Sequence, residues 1–377
     1  LSFNVDNVED AAGGKVNGSV KTFLSEDGSA VINPVIGIDA GEGTYSFAES
    51  VSVEADSVDR GEEGLKLSNS NTLYNVEFGD TQNTLNVSKK DSGEVASAVV
   101  NAGGTVSNAN TVNAWVGGNS DASSLTGASR AMAEHLNTLA QTDQGALVNA
   151  VTALAPETAA MVQSNATETA NQVFAAVGSR LSGGSIVTGN EGMSSGDSIF
   201  KRGAMWVQGL FNHSKADDTR KARGFDADSE GIAFGAEKYV NDDVKLGIGY
   251  AYTSSDIDGF MRKTDVDTHT AIAYGEYKPS NWFVNGIATY GWSDYSEKKN
   301  VAGMPVSADY DVDSIGLQAM TGYDIDLCGA MLTPEAGLRY VNIRQDGYRD
   351  SAGQKVGENT SDILTGVVGA SLKKDFA

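Results

Sequence analysis

From Ala204 to Phe376 the chain repeats one unit: about ten residues whose side chains alternate between two faces, followed by a turn. A tilted strand of that length spans a hydrocarbon layer, and the alternation gives each strand one apolar and one small or polar face. In Val244 to Thr253 one parity carries Val244, Leu246, Ile248, Tyr250 and Tyr252; the other carries Lys245, Gly247, Gly249, Ala251 and Thr253. Leu332, Pro334, Ala336, Leu338 and Tyr340 likewise oppose Thr333, Glu335, Gly337 and Arg339, and Leu364, Val368, Ala370, Leu372 and Phe376 share a face in the last segment. Charged groups such as Glu335 and Arg339 need water or a counter-charge, which a lumen supplies and lipid does not. The fold expected is mainly β: an antiparallel outer-membrane barrel.

On this parity Lys245, Thr253, His269, Gln318, Glu335 and Arg339 are expected to line the pore. Tyr239, Leu246, Ile248, Tyr250, Trp282, Tyr290, Trp292, Tyr323, Leu338 and Tyr340 are expected to meet lipid or form the aromatic girdles at its boundaries. Short turns are predicted at Asn241-Asp242, Lys278 to Asn281 and Asp326 to Gly329. Long polar connections are predicted at the other end, as in His213 to Ser229 and Glu297 to Asp311. Short turns on one side and long loops on the other distinguish a membrane barrel from a soluble barrel or sandwich, the alternative reading.

The formal charge of −23 and the absence of a basic stripe argue against nucleic acid as a partner. The lone cysteine, Cys328, excludes a disulfide framework and a cysteine zinc cluster. No apolar run is long enough for a transmembrane helix, a requirement barrel strands do not share. The first residues read as mid-domain strand, so the chain is expected to be trimmed at its N-terminus.

Three regions follow one another. Residues 1–125 are rich in Gly, Ser, Asn, Thr and Val, with short strands at Ser29 to Ile36, Thr44 to Val53, Thr72 to Phe78 and Thr84 to Val87. Asn and Gly at the corners suit the rungs of a β-helix, with an irregular β-sandwich as the alternative. Residues 126–200 turn helical: Ser129 is placed as one cap, Thr142 as a second and Pro156 in the first turn of a third helix running to Leu181. That last helix carries Val173, Phe174 and Val177 on one side and small or polar residues elsewhere, a surface suited to a water-lined pore. Gly183 to Asp197 is read as a flexible turn before the barrel, residues 201–377.

Several segments carry a resemblance. Ala153-Leu154-Ala155-Pro156-Glu157, Trp206-Val207-Gln208-Gly209, Gly235 with Tyr239, Leu246-Gly247-Ile248-Gly249-Tyr250 and Leu332 to Tyr340 resemble, in order and spacing, the C-terminal part of a classical autotransporter. The resemblance implies type V secretion: an outer-membrane translocator with a helix in its pore, delivering an N-terminal passenger to the surface of a Gram-negative bacterium. It also implies lipid, the chain's own passenger, the barrel-assembly machinery and periplasmic chaperones as partners, and a monomer. Passengers of this family are commonly β-helical. The family barrel has about twelve strands and ends on an aromatic residue, whereas eight are counted here before Asp375-Phe376-Ala377. The chain is therefore expected to be incomplete at its C-terminus as well.

Chemistry is sparse. His135, His213 and His269 fall in separate elements with no catalytic or metal-binding pattern around them, so no enzyme site and no cofactor are expected. Asp217-Asp218, Asp226 to Glu230 and Asp309 to Asp313 read as solvated loops, with weak calcium binding as the alternative. Some family members cleave themselves at a linker asparagine, for which Asn165 and Asn171 are the candidates here. The competing functional readings are a surface adhesin with residues 1–125 as its stalk base, a diffusion porin, and an upstream enzyme passenger.

Overall fold

Residues 2–5, 30–46, 65–67, 71–79, 84–117, 124–154, 158–181, 203–217, 224–327 and 330–373 are described by the computed structural model. The chain divides into two compact units. One comprises Leu1–Ala155 with Lys299–Val306 and Ser351–Gln354; the other comprises Pro156–Lys298, Ser307–Asp350 and Lys355–Ala377.

In the first unit, β1 (Ser2–Val5), β2 (Ala30–Ile36), β3 (Gly43–Ser46), β4 (Leu65–Leu67), β5 (Tyr74–Phe78) and β6 (Thr84–Lys89) form two small sheets. β1, β2 and β4 pair in parallel; β3, β6 and β5 pair antiparallel. The expectation of an all-β segment to residue 125 is corrected by two helices, α1 (Ser92–Asn101) and α2 (Val106–Trp115). Each starts at a reciprocal capping box: Asp91 with Glu94, and Thr105 with Asn108. α3 (Gly127–Thr142) and α4 (Gln144–Leu154) follow. Thr126, not Ser129, is the N-cap of α3. The Thr142 hydroxyl bonds back to Thr138, and the Asp143 carboxylate takes the free amide of Ala146 instead.

Gln141 of α3 is fully buried and finishes the edge of β2. Its amide oxygen accepts the Ile36 N–H at 2.7 Å, and its amide nitrogen donates to the Ile36 carbonyl at 2.8 Å. Asn137 donates to that same carbonyl at 2.8 Å, so two side chains supply what a neighbouring strand would.

In the second unit, α5 (Thr158–Gly178) precedes a single antiparallel sheet. Its members are β7 (Gly203–Ala216), β8 (Phe225–Tyr239), β9 (Val244–Gly259), β10 (Arg262–Tyr277), β11 (Trp282–Val301), β12 (Met304–Tyr323), β13 (Ile325–Asp326), β14 (Met331–Gln345) and β17 (Asn359–Lys373). Between β14 and β17 lies a small hairpin, β15 (Tyr348–Arg349) with β16 (Lys355–Val356). The eight long strands run β7-β8-β9-β10-β11-β12-β14-β17, with β7 and β17 at the edges. α5 touches β7 and β8 near one edge and β14 near the other, so the sheet curves around it as a half-barrel.

Turns at 240–243 and 278–281 fall where short connections are predicted. Asn241 builds the first by accepting the amides of Asp243 and Val244. Cys328 and Gly329 of the third lie outside the described residues, as do Pro156, Gly183 to Asp197 and Phe376-Ala377. The long polar connections are corrected. β7 and β8 continue to Ala216 and from Phe225, while β11 and β12 continue into the turn Ala302-Gly303, so Glu297 to Asp311 is mostly strand. Ala302 and Gly303 have φ of 48° and 94°, the left-handed pair that matches strand twist in a two-residue hairpin.

Candidate functional site: the concave face and its helix

Strand register fixes which side chains meet α5. The inward parity carries Trp206 and Leu210 on β7, Ala233 on β8, and Lys245, Ala251 and Thr253 on β9. It continues with Tyr274 on β10, Tyr295 on β11, Gln318 on β12 and Glu335, Arg339 and Val341 on β14, all buried or half-buried. The opposite parity exposes Phe234, Leu246, Ile248, Val284, Leu317, Leu338, Leu364, Val368 and Leu372. A continuous apolar exterior around a partly polar interior inverts the pattern of a soluble barrel.

The outward aromatic residues fall into two rows. Tyr277, Trp282 and Tyr323 lie at the short-turn end, and Tyr250, Tyr252, Tyr290, Trp292 and Tyr340 lie farther along the strands. From Trp282 to Trp292 a strand advances about 33 Å, or about 25 Å in height at a tilt near 40°, the height of the apolar band of an outer-membrane barrel. In the upper row, tyrosine hydroxyls donate to carboxylates on adjacent strands: Tyr252 to Asp267 at 2.6 Å, Tyr290 to Asp313 at 3.0 Å and Tyr340 to Asp362 at 2.6 Å. The apolar surface therefore stops where the first carboxylates begin.

Two of the predicted positions are corrected. His269 faces outward, because it stands opposite Tyr252; it lies 2.5 Å from the Tyr250 hydroxyl and stacks on Trp292. Tyr239 stands opposite Lys245 and shares its inward parity, with the ammonium 5.7 Å from its ring. The structure places Lys245, Thr253, Gln318, Glu335 and Arg339 inward, and Leu246, Ile248, Tyr250, Trp282, Tyr290, Trp292, Tyr323, Leu338 and Tyr340 outward.

α5 is held at three levels. At the far-hairpin end, the Asn165 amide nitrogen donates to the buried Tyr295 hydroxyl at 3.1 Å, below a stack of Tyr295, Tyr310 and Tyr348. Halfway down, the Arg339 guanidinium donates to Asn171 at 2.6 Å and to Gln318 at 2.7 and 3.0 Å while lying 5.0 Å from the Phe174 ring. Near the short turns, in the turn just past the end of α5, Arg180 pairs with Glu237 at 2.8 Å, and Lys245 donates to the Arg180 carbonyl at 2.5 Å. The helix thus runs along the concave face from the long hairpins toward the short turns, and both candidate asparagines have their amides on wall residues.

Glycines make room for the aromatic wall. Trp206 donates its indole N–H to the Tyr274 hydroxyl at 2.7 Å, and that hydroxyl donates to Glu237 at 2.9 Å. A Cβ at Gly235 would sit 2.8 Å from the Trp206 ring, and one at Gly247 would sit 2.1 Å from the Tyr274 ring. Gly235 and Gly247 are therefore packing requirements: rings on β7 and β10 lie across bare backbone on β8 and β9. The Tyr295 contact with α5 and this Trp206-Tyr274-Glu237 chain were missed from sequence, because they join strands far apart in the chain. Inward parity of a tyrosine was the available signal.

Among the described residues no cluster of three or more His, Cys, Asp or Glu is arranged to hold a metal ion. His213 instead pairs with Asp228 at 2.7 Å on the exposed face. No described helix is long and apolar enough to cross a membrane.

Residues 205–377 match the family model described as the autotransporter beta-domain. Outer membrane protein A of Rickettsia rickettsii is 29% identical over 185 residues, covering 44% of this chain and 8% of that protein. Outer membrane protein B of Rickettsia typhi is 25% identical over 205 residues, covering 48% of this chain and 12% of that protein. The chain thus spans about a tenth of the length of these curated relatives. Among solved structures, the translocator domain of the autotransporter NalP from Neisseria meningitidis aligns with a TM-score of 0.45 at 16% identity, covering 56% of this chain and 73% of that one. With its apolar exterior, paired aromatic rows and helix-filled concave face, the segment from residue 205 to residue 377 is the β-domain of an autotransporter, and its place is the outer membrane of a Gram-negative bacterium.

Proposed function

We propose that this chain is the anchoring and delivering end of an autotransporter: residues 201–377 hold it in the outer membrane, α5 occupies the pore, and residues 1–125 are the C-terminal part of a passenger carried to the cell surface. The observation that carries this reading is the seat of α5. A slender helix with polar contacts to the wall at three levels is what remains when a chain has been drawn through a barrel and stopped. It also stands against a diffusion porin, whose lumen must stay open. The parallel pairing of β1, β2 and β4 supports a β-helix-like passenger that ends in the helices α1 and α2, with α3 and α4 opening the linker. Lipid contacts the apolar band, and the assembly machinery and periplasmic chaperones act before insertion; the assembled unit is a monomer.

The test is topological. In a Cys328→Ser background, cysteines placed at Asp217 and at Asp242 are labelled on intact cells with a membrane-impermeant maleimide. Labelling at 217 alone is the expected result. Equal labelling at both positions contradicts the orientation. Replacing Asn165 or Asn171 with Ala and following passenger release on a gel tests self-cleavage, and unchanged release removes both as cleavage sites.

A further inference from the structure

The first unit is not built from one stretch of chain. Its core joins residues of Leu1–Ala155 to Lys299–Val306 and Ser351–Gln354. Val301 is fully buried and Val306 is 3% exposed, in one cluster with Met132, Leu136, Leu147 and Leu154; Ala302 and Met304 pack against that cluster, and Ala352 belongs to it. His135 of α3 donates from Nε2 to the Ala302 carbonyl at 3.2 Å. The turn that presents these residues is rigid, because Ala302 and Gly303 fill the left-handed pair and Asn300 accepts the Gly303 N–H at 2.7 Å.

The sequence around this turn is otherwise polar. Val301-Ala302-Gly303-Met304-Pro305-Val306 is an apolar tip between Glu297-Lys298-Lys299-Asn300 and Ser307-Ala308-Asp309. It lies well past the upper aromatic row, where no lipid requires apolar side chains. Its valines are buried in the cluster that also holds Met132 and Leu136 of α3 and Leu147 and Leu154 of α4, and the turn is tied to α3 by the His135 bond to Ala302.

We infer that residues 299–306 are the closing piece of the first unit's core, so that α1 to α4 reach their folded packing only after the β11-β12 hairpin has formed. Removing Val301 and Val306 takes two buried side chains out of the one cluster that holds Met132, Leu136, Leu147 and Leu154, and so weakens the burial that holds the helices together. The dependence sets an order of folding, with the strand pair first and the helices second. For a segment that must cross a narrow pore unfolded, this delays compaction until the far side is reached. That benefit rests on the delivery reading, but the folding dependence does not.

The test uses the purified full chain in detergent micelles. The heat-dependent shift in gel mobility reports the barrel, and pulse proteolysis reports survival of the fragment holding α1 to α4. Val301→Asp is expected to leave the mobility shift intact and to speed cleavage of that fragment at least about tenfold; Val306→Ala should speed it about threefold. Cleavage at the wild-type rate in both variants, with the shift intact, overturns the inference. If Val301→Asp also abolishes the shift, Val306→Ala decides: faster cleavage with an intact shift supports the closing role, and unchanged cleavage overturns it. None of these outcomes depends on secretion, so failure of the cell-labelling experiment is separately readable.

Discussion

The guanidinium of Arg339 on β14 reaches 2.6 Å to the amide oxygen of Asn171 on α5, the one direct hydrogen bond between that strand and the middle of the helix among the described residues. Its other donors go to Gln318. Arg339→Ala removes a charge-assisted bond of about 1.5–3 kcal/mol and uncovers the Phe174 ring. In planar bilayers the helix-seated, low-conductance state is expected to shorten roughly tenfold or more. An unchanged lifetime would show that Arg339 does not hold the helix.

Gly316 lies under the Phe174 ring, where a Cβ would come within 2.7 Å of the ring edge and 2.3 Å of the Thr289 hydroxyl. Gly316→Val is expected to cost about 1–3 kcal/mol by overpacking. In a double-mutant cycle with Phe174→Ala the two penalties should be less than additive, because removing the ring frees the space. Strict additivity in urea-melting experiments would place the collision elsewhere.

Ile248 is 69% exposed in the middle of the apolar band. Ile248→Arg should destabilise the barrel in lipid vesicles by about 2–4 kcal/mol, whereas Ile248→Leu should be close to neutral. Equal behaviour of the two in refolding titrations would mean that this face does not contact hydrocarbon.

Gln141 satisfies both backbone groups of Ile36. Gln141→Leu keeps the volume and removes both partners, leaving Asn137 to serve the carbonyl alone. The expected cost to the first unit is about 2–4 kcal/mol. Hydrogen exchange at the Ile36 amide reads it directly, since that N–H loses its acceptor.

Asp324 sits at a short turn, where burial pushes its carboxyl up but hydrogen bonds from the Lys278 ammonium and the Thr333 hydroxyl, both at 2.7 Å, outweigh it and hold the group below the usual carboxylate range. A lowered folded-state value means that this stabilisation is complete above the unfolded value near 3.9 and disappears as pH falls through the folded value. Stability of the wild type relative to Asp324→Asn should therefore hold from pH 7 to about 5 and converge below about 4. Parallel curves down to pH 3 would exclude Asp324 as the source.

The parity of strands such as β9 and β14 was legible residue by residue, because one face of each must be apolar in lipid. Parity is a local property, and it failed where a strand had to be joined to its neighbour. His269 and Tyr239 were assigned on their own segments, whereas their facing follows from standing opposite Tyr252 and Lys245. α5 was readable from its mixture of Phe174 and small polar residues, but the identity of its wall partners was not, since Tyr295 and Arg339 lie 130 and 168 residues away from Asn165 and Asn171. The helices α1 and α2 were obscured by Asn, Ser and Val, which favour other structures intrinsically. Their capping boxes, Asp91 with Glu94 and Thr105 with Asn108, were the signal available. Glu297 to Asp311 reads as loop only if polarity is equated with irregular backbone; its alternation continues up to the turn.

That continuation gives the β11-β12 hairpin a mechanical character. Beyond Trp292 it runs on for about 30 Å with both strands paired and a two-residue turn at the end, leaving no slack segment to stretch. A pull applied at Ala302 would load two covalent backbones side by side, and the tension would pass undiminished into the barrel wall.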